Sequence, residues 1–402
     1  MSLNRPRILV LTSTFPRWVD DEVPSFVFTL SKLLSKFYAI QVLAPWDLGA
    51  KKNEEMSGLQ VKRFQYFFSG MSLAYGGGIS DNIKKNPLKL LLIPFYLLAQ
   101  TYAIFKELKQ TEYDLIHAHW LIPQGITAIA ACYFAGIDPK QKLVLSCHGS
   151  DVNGFKGRLG TFIKKWVCKR VRRLTVVSAS LKHELDIVGN KTPVDVIPMG
   201  SDFVSIFYRN LDIEKQAKTT IFVGRLIEQK GVWLLLRVFK KVVSELPDAK
   251  LILVGEGPLK KDIKQYLLIN ELEHNVELLG FRNHNELPLY YNKAKVCVVP
   301  SLIKEGFGLT IVESMGCECI TLASDFPSAR ELILSGHNGF LFPAGNELEL
   351  LKAWMNALLT NQADVGIQAR ISVKGKFDWE KTVEEFSKLF NEIINQELNV
   401  SE

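Results

Sequence analysis

The segment KEGFGLTIVESMG, residues 304–316, places two carboxylates, Glu305 and Glu313, on either side of a Gly-Phe-Gly turn. Glu305 precedes the turn, and Glu313 falls in the first turns of a helix predicted to begin near Leu309. Glycines let backbone N–H groups approach a ligand closely, and a helix N-terminus favours negative charge. The segment predicts a site for a ligand with phosphate in its middle and hydroxyls at both ends. The alternative is that both glutamates are helix-start charges favoured by the helix dipole.

A second candidate anion-binding element follows a predicted strand. In VGRLIEQKG, residues 223–231, five residues separate two cations, Arg225 and Lys230. Arginine presents a planar fork and lysine a point charge, so the two side chains can straddle a diphosphate. Alone, this stretch is more simply a solvated loop that initiates a helix. The glycine-rich segment at 304–316 favours the phosphate-binding interpretation.

The composition is that of a globular protein with 402 residues, 47% hydrophobic and 23% charged. This length predicts two domains of about 200 residues. The net charge of +7 is modest. A charge of this size is as compatible with an anionic small molecule or an anionic membrane surface as with nucleic acid. We expect no nucleic-acid partner. Six cysteines in so long a chain do not form a disulfide framework, which indicates a reducing cytoplasm.

Short apolar runs alternate with helical patterns along almost the whole chain, which indicates parallel strands buried on both faces. The pattern restarts at TTIFVGRL and predicts two doubly wound, Rossmann-like α/β domains, residues 1–203 and 204–378. An amphipathic helix at 379–398 is expected to pack back on the first domain. Open α/β sheets bind ligands at the carboxyl ends of their strands, so we expect the site in a cleft between the domains.

Two segments raise the question of a membrane. PLKLLLIPFYLLAQTYAIF, residues 87–105, is strongly apolar, but Lys89, Pro94 and Gln100 interrupt it, and a spanning helix needs about 20 mostly apolar residues. We expect a buried or groove-lining helix, with shallow insertion into a bilayer as the alternative. FKGRLGTFIKKWVCKRVRR, residues 155–173, has eight basic residues and no acidic one. It is compatible with a helix on an anionic membrane and equally with a solvated helix face.

Several motifs carry a family resemblance. VGRL…KG, VGEGP, LLGF, VVPS…EGFGLTIVES and GHNGFLF resemble the retaining glycosyltransferases of family 4, which have the GT-B fold. The spacing of Glu305 and Glu313 matches the E-x7-E signature of that family. The resemblance covers essentially the whole chain and implies a nucleotide-sugar donor held mainly by the second domain. It implies donor contacts from Gly224, Arg225, Lys230, Arg282, Glu305, Gly306, Phe307, Gly308, Leu309 and Glu313.

Within this set, the resemblance assigns the diphosphate to Arg225 and Lys230 and the ribose to Glu313. Glu305 and the backbone at 307–309 would hold the donor sugar, and Arg282 would lie in the stretch that flanks the base. Family members require no metal, and the sequence contains no Asp-x-Asp pair. We therefore expect no cofactor and no metal, with Arg225 and Lys230 neutralising the leaving group.

The first domain contributes histidines. LSCHGSDV, residues 145–152, resembles the family's cleft histidine motif, which implies that His148 contacts the donor sugar near the anomeric carbon. The alternative is a loop histidine that caps a turn. His117 and His119 alternate along a strand and share one face, as metal ligands could. Because no third ligand is identifiable, a structural or acceptor-facing role is favoured. We expect His119 and Asp151 on the acceptor side.

The loop after the first strand departs from the family. Family members usually have a Gly-Gly loop there, whereas TSTFPRWVDDEVPSFV contains no glycine. Arg17, Asp20 and Asp21 are expected to serve instead, with Arg17 on the acceptor side. FPRW…FV and HAHWLIPQG look most like bacterial enzymes that build exopolysaccharide or other surface glycans.

The sequence as a whole predicts a retaining hexosyltransferase with His148, Arg225, Lys230 and Glu305 as its catalytic residues. The donor is a nucleoside-diphosphate sugar, and the acceptor is a glycan or lipid-linked bacterial surface polysaccharide. No side chain is a convincing nucleophile, so same-face displacement is expected. The protein is expected in the cytoplasm, with possible peripheral contact to an anionic membrane. The alternatives are a sugar-nucleotide epimerase of the same fold and a non-catalytic nucleotide-sugar-binding protein.

Overall fold

The computed structural model describes residues 5–19, 21, 23, 25–68, 71–76, 78–155 and 157–401. Two compact units make up the chain. Unit 1 comprises residues 1–198 and 382–402, and unit 2 comprises residues 199–381. Each unit is built on its own largely parallel sheet flanked by helices. This confirms the predicted fold class of two Rossmann-like α/β domains.

The sheet of unit 1 has eight strands in the order β3-β4-β2-β1-β5-β6-β7-β8, and only β3 runs antiparallel to its neighbour. Its innermost strands, such as β5 and β6, are buried along their whole length, which is why they appear in the sequence as continuous apolar runs. The strands are β1 (Arg7–Leu11), β2 (Ala39–Pro45), β3 (Asn53–Met56), β4 (Leu59–Phe64), β5 (Leu115–His119), β6 (Leu143–Cys147), β7 (Arg173–Val176) and β8 (Val194–Val196).

The helices of unit 1 among the described residues are α1 (Phe26–Leu34), α2 (Ile79–Lys85), α3 (Ile93–Gln110), α4 (Ile126–Ala135), α5 (Pro139–Lys142), α6 (Ser150–Asn153), α7 (Arg158–Cys168) and α8 (Ala179–Ile187), together with most of α16 (Trp379–Ser401). A 3₁₀ turn, Pro87–Leu92, precedes α3, and a π-helical turn, Leu121–Gly125, precedes α4. Residues of α16 pack on the sheet, since Tyr38 donates a hydrogen bond to Asn391 and the Phe390 ring lies against His117.

The structure corrects the expectation for residues 87–105. This segment forms the 3₁₀ turn and most of α3, and only one side of it is buried. Leu88, Leu91, Leu98 and Tyr102 are each about 70% exposed, although the opposite side of the helix packs against α4. Apolar composition alone did not reveal which side faces inward.

Unit 2 has six parallel strands in the order β11-β10-β9-β12-β13-β14. They are β9 (Gln216–Val223), β10 (Lys250–Val254), β11 (Val276–Gly280), β12 (Ala294–Val299), β13 (Ile320–Ser324) and β14 (Phe340–Phe342). The helices are α9 (Val232–Glu245), α10 (Lys260–Ile269), α11 (Leu287–Lys293), α12 (Leu309–Gly316), α13 (Pro327–Arg330), α14 (Glu347–Leu359) and α15 (Ala363–Val373), with a 3₁₀ turn at Glu228–Lys230.

The core of unit 2 lies between the sheet and the helices α9 and α14. Trp354 of α14 is fully buried, stacks on Phe239 of α9, and donates its indole N–H to Thr220 of β9 at 2.7 Å. This packing fixes the position of β9, the strand that leads into the predicted phosphate-binding loop. All six cysteines of the chain are free and buried.

Candidate functional site

The predicted donor-binding residues of unit 2 converge on the carboxyl ends of adjacent strands. Because β10 and β12 flank β9 on opposite sides, the strand order reverses there, and such switch points form the ligand-binding crevices of open α/β sheets. Arg225 and Lys230 follow β9, and Glu305 follows β12. The predicted residues therefore lie at the expected edge of the sheet.

The loop after β9 is held in place by backbone contacts. Leu226 N–H donates to Glu256 O at 2.9 Å, and Leu302 N–H donates to Gln229 O at 2.9 Å, which tie the loop to its neighbours after β10 and β12. Gly231 ends the loop with φ of 70°, and a Cβ at this position would lie 1.8 Å from Pro300 O. Only glycine fits there, so the backbone places Lys230 close to the segment after β12.

Lys230 and Glu305 form an ion pair. Lys230 Nζ lies 2.9 Å from Glu305 Oε1, and the Ser301 hydroxyl donates a hydrogen bond to the same oxygen. Burial alone would raise the pKa of Glu305, but the charge of Lys230 and the two hydrogen bonds outweigh it and hold the pKa below its ordinary value. Glu305 is therefore a carboxylate at neutral pH, next to a cation.

The glycine turn beside this pair leads directly into α12. Gly308 is the N-cap of α12 with φ of 113°, in the left-handed region that favours glycine, and the Phe307 ring is buried against Phe377. The N–H groups in the first turn of a helix have no intrahelical acceptors, so this turn offers donors to an anion. Residues of the turn, with Ser301, Glu305 and Ser324, line a concavity of about 250 Å³ including open solvent.

Glu313 has different partners. Its Oε1 lies 3.0 Å from His284 Nε2, and its Oε2 accepts a hydrogen bond from the Tyr291 hydroxyl at 3.4 Å. The carboxylate is 6% exposed. Burial alone would lower the pKa of His284, but the hydrogen bond to Glu313 and its negative charge outweigh burial and raise it. The two glutamates of the E-x7-E pattern are thus held by separate sets of residues.

The remaining predicted donor residues occupy the surrounding loops. Gly224 N–H donates to Val254 O at 3.0 Å, which joins the start of the β9 loop to β10. Arg225 is half-buried in that loop. Arg282 follows β11, and its Nε donates to the Tyr290 hydroxyl at 3.1 Å. Gly306 and Leu309 flank the glycine turn. The Tyr290 hydroxyl and the Phe281 carbonyl, which accepts from Arg282 Nη1 at 3.0 Å, therefore hold the Arg282 guanidinium in place.

Sequence reasoning missed three residues that touch the two glutamates: Ser301, His284 and Tyr291. Ser301 stands in VVPS and His284 in GFRNHNEL, so both belong to stretches that the resemblance covers. Tyr291 lies on α11, where its spacing is indistinguishable from that of a core aromatic residue. His284 and Tyr291 are more than 20 residues from Glu313 in the sequence, which concealed their contacts with it.

In unit 1, the three predicted histidines form one cluster. His119 Nδ1 lies 3.0 Å from His148 Nε2, and their rings are stacked. His117 Nε2 lies 2.7 Å from the Ser146 hydroxyl. Burial lowers the pKa of His117 to about 3 and that of His148 to about 4, so the cluster is uncharged at neutral pH. His119 Nε2 and His148 Nδ1 are buried without a hydrogen-bond partner in unit 1 as described.

Asp151 and Arg17 are both engaged within unit 1. Asp151 accepts hydrogen bonds from the backbone N–H groups of Leu121, His148 and Gly149, so its carboxylate fixes the ends of β5 and β6. Arg17 forms a bidentate pair with Asp21, with N–O distances of 2.7 and 2.8 Å. Asp20, the other acid expected to serve here, lies outside the described residues. The acceptor-side roles of these residues stay predictions.

The basic segment 155–173 is only partly available to a partner. Lys164 is buried and donates to the carbonyls of Val152 and Gly154. Arg172 and Arg173 pair with Gln396 and Glu392 of α16. The cations of this segment that are exposed to solvent are Arg158, Lys165, Lys169 and Arg172. Lys156 lies outside the described residues.

No metal centre is found among the residues that the structure describes, since no three His, Cys, Asp or Glu side chains are grouped as ligands. The histidine pair on β5 is accounted for by contacts with Ser146 and His148.

The fold matches that of a solved GT-B enzyme. The structure of HepE from Anabaena in complex with UDP-glucose superposes with a TM-score of 0.73 at 19% identity, covering 96% of this chain and 99% of that one. At this identity the likeness establishes the fold alone. The protein therefore has the GT-B fold.

The sequence comparisons define the family. A family model described as Glycosyltransferase Family 4 matches residues 23–203, and one described as Glycosyl transferases group 1 matches residues 206–377. An uncharacterized glycosyltransferase of Methanocaldococcus jannaschii is 31% identical over 308 residues, which cover 74% of this chain and 80% of that protein. The chain belongs to the family 4 (group 1) glycosyltransferases.

A further relative has a named reaction. The UDP-Gal:alpha-D-GlcNAc-diphosphoundecaprenol alpha-1,3-galactosyltransferase of Escherichia coli is 24% identical over 315 residues, which cover 73% of this chain and 79% of that enzyme. That enzyme uses a nucleotide-sugar donor and a lipid-linked acceptor.

Proposed function

We propose that this glycosyltransferase moves a hexose from a nucleoside-diphosphate sugar to a hydroxyl of a lipid-linked bacterial surface glycan, with retention of anomeric configuration. The observation that carries the donor assignment is the contact between Lys230, Glu305 and Ser301 beside the glycine turn of α12. A cation, a carboxylate and a helix N-terminus at one switch point match the phosphates and hydroxyls of such a donor.

Within the proposed complex, the diphosphate displaces Glu305 from Lys230. The freed carboxylate then binds hydroxyls of the donor sugar, while Lys230 and Arg225 stabilise the leaving diphosphate. Glu313, oriented by His284 and Tyr291, accepts hydrogen bonds from the ribose. Arg282 lies beside the base. The solved complex of HepE with UDP-glucose supports a nucleotide sugar as the donor class.

The proposed reaction is a same-face displacement without a protein nucleophile. Glycosidases use two carboxylates as acid and nucleophile. In the proposed complex Glu305 accepts hydrogen bonds from donor hydroxyls, and Glu313 is held by His284 and Tyr291, so we assign neither carboxylate the role of nucleophile. The departing phosphate accepts the proton of the acceptor hydroxyl. His148 is proposed to contact the donor sugar. We propose that the reaction needs no metal, because Lys230 supplies positive charge at the phosphates.

The acceptor proposal rests on the relative from Escherichia coli, whose acceptor is linked to diphosphoundecaprenol. We place the protein in the cytoplasm at the inner face of the membrane. Six free, buried cysteines support a reducing compartment. The exposed cations of 155–173 are a candidate contact for anionic lipid.

Thermal stabilisation by a panel of nucleotide sugars tests the donor proposal. A ligand at 100 times its dissociation constant adds about 2.7 kcal/mol to the free energy of unfolding. Turnover of the best donor is then measured with and without a lipid-linked acceptor, and the anomeric configuration of the product is read by NMR. Conversion to another nucleotide sugar without acceptor would indicate an epimerase. Binding without any turnover would indicate a non-catalytic protein.

A further inference from the structure

Helix α3 buries polar side chains against unit 1 and, with the 3₁₀ turn before it, exposes apolar ones. A helix on the surface of a water-soluble protein usually does the opposite. The residues that α3 buries against unit 1 include Tyr96, Gln100, Ile104 and Glu107. Gln100 accepts a hydrogen bond from Thr127 at 3.1 Å. Glu107 pairs with Lys62 at 2.8 Å. The amide and the carboxylate of this helix therefore face the protein.

The opposite side is apolar and exposed. Leu91, Phe95, Leu98 and Tyr102 follow one another at helical spacing, and between 50% and 70% of each is exposed. We call these four residues the outer stripe. The Phe95 ring lies 5.3 Å from that of Phe67, and the neighbouring Phe68 is also exposed, so the apolar surface continues beyond the helix. An exposed apolar patch of this kind marks an interaction site.

The charged residues within the segment that carries the outer stripe are all lysines. Between residues 82 and 106 the sequence has four lysines and no acidic residue. Lys84 and Lys85 are exposed at the end of α2, which leads into the 3₁₀ turn. Lys106 is exposed and continues the spacing of the outer stripe by one helical turn from Tyr102. An apolar stripe with lysines at both ends complements an anionic lipid surface.

We propose that the outer stripe is a docking surface for an anionic phospholipid bilayer, with α3 lying in the plane of the interface. Residues 87–110 are long and apolar enough to cross a membrane by length and composition, but the window that meets this criterion is 22% buried in the protein. The buried side is fastened to unit 1 through Gln100 and Glu107, so α3 does not cross the bilayer. Its exposed side enters the headgroup and acyl boundary instead.

Sedimentation with vesicles tests this proposal without donor or acceptor, so its outcome is independent of the reaction proposed above. The parent protein should bind vesicles of equal parts phosphatidylcholine and phosphatidylglycerol more tightly than vesicles of phosphatidylcholine alone. The double variant Leu91→Gln/Leu98→Gln should bind about 30- to 100-fold more weakly, because two leucines that are exposed in the protein no longer enter the bilayer. Replacing Lys84, Lys85 and Lys106 with Gln should weaken binding by about fivefold for each lysine.

The matched control is Leu268→Gln/Leu348→Gln, which changes two leucines that are about as exposed on helices of unit 2. It should bind vesicles like the parent. Because all four leucines are exposed, the melting temperatures of both double variants should stay close to that of the parent, which separates lost binding from lost folding.

Three results would overturn the proposal. The first is a parent that does not bind anionic vesicles. The second is loss of binding in Leu159→Gln/Phe162→Gln, on the exposed side of α7, together with unchanged binding in Leu91→Gln/Leu98→Gln, which would assign the contact to α7. The third is a parent dimer that Leu91→Gln/Leu98→Gln dissociates without changing vesicle binding, which would make the outer stripe a subunit interface.

Discussion

Replacing Glu305 with Gln tests whether the two glutamates of the proposed donor site have different roles. Under the proposed function, Glu305 faces the donor sugar, where positive charge develops as the bond to phosphate lengthens. Its carboxylate is worth more in the transition state than in the ground state, so Glu305→Gln should chiefly lower kcat. Loss of one such preorganised contact costs about 100- to 1000-fold in kcat, or about 2.7–4 kcal/mol.

A loss of stability cannot explain a change of this size. The side chains of Lys230 and Glu305 are 32% and 24% exposed, so their ion pair lies between a surface pair and a buried one. Breaking it should cost on the order of 1 kcal/mol of folding free energy. For a unit of this size, that lowers the melting temperature by about 2–4 °C. The folded fraction at assay temperature then hardly changes.

Two companion variants sharpen the test. Glu313→Gln should mainly raise KM for the donor, because the ribose changes little in the transition state. It should also lower the pKa of His284 in NMR titrations, since Glu313 is the main group that raises this pKa. Glu347→Gln is the matched control, because Glu347 pairs with Arg237 and Lys241 at similar exposure on α14 and is not a predicted site residue.

The assay measures initial rates with acceptor saturating and donor varied, using the nucleotide sugar that stabilises the protein most. The assignment of the two donor ends would be refuted if Glu305→Gln kept its kcat while Glu313→Gln lost it. The interpretation as transition-state stabilisation would be refuted if Glu347→Gln lost as much kcat as Glu305→Gln.

Further predictions concern metals, surface charge and pH. Turnover should survive EDTA, and complete loss that magnesium or manganese restores would contradict the metal-free proposal. Lys164→Gln should lower the free energy of unfolding by about 1–3 kcal/mol, since two carbonyls lose their donor, whereas Lys165→Gln/Lys169→Gln should leave it unchanged. Because burial lowers the pKa values of His117 and His148 from 6.5, the stability that depends on their neutral forms is fully present above pH 6.5. It is lost toward about pH 4, and urea unfolding should show about 1.4 kcal/mol per histidine for each pH unit; a flat profile would refute this.

The fold could be predicted from the sequence because its strands are buried on both faces. With one exception, the strands that the structure describes coincide with short apolar runs of the kind that alternate with helical patterns in the sequence. The exception, Asn53–Met56, is an edge strand with the sequence NEEM. It forms a hairpin with β4 through Ser57 and Gly58, which both have positive φ. A short polar strand at an edge has no apolar signal, because only its backbone joins the sheet.

The positions of the donor residues could be predicted, but their pairing could not. Strand ends locate Lys230 and Glu305 at one edge of the sheet. Their direct contact depends on Gly231, whose Cα approaches Pro300 O so closely that no side chain fits. Likewise, Asp151 and Arg17 were predicted as acceptor-facing charges, whereas backbone amides and Asp21 engage them. A spacing in the sequence does not show which polar group satisfies a charge.

For α3, too, the sequence did not show which side of the helix packs against the protein. Two rows of residues have helical spacing on this helix: one holds Tyr96 and Ile104 with Gln100, and the other is the outer stripe. Apolar content favours burial of the outer stripe, since burying polar groups without partners costs free energy. Thr127 donates to the Gln100 carbonyl oxygen and Lys62 pairs with Glu107, which holds both polar side chains inward, although the Gln100 amide nitrogen is buried without a hydrogen-bond partner among the described residues. In water, this orientation leaves the outer stripe exposed. At a bilayer interface, contact of the outer stripe with lipid is favourable. The proposed membrane docking therefore accounts for the apolar residues that the sequence analysis expected to be buried in the protein.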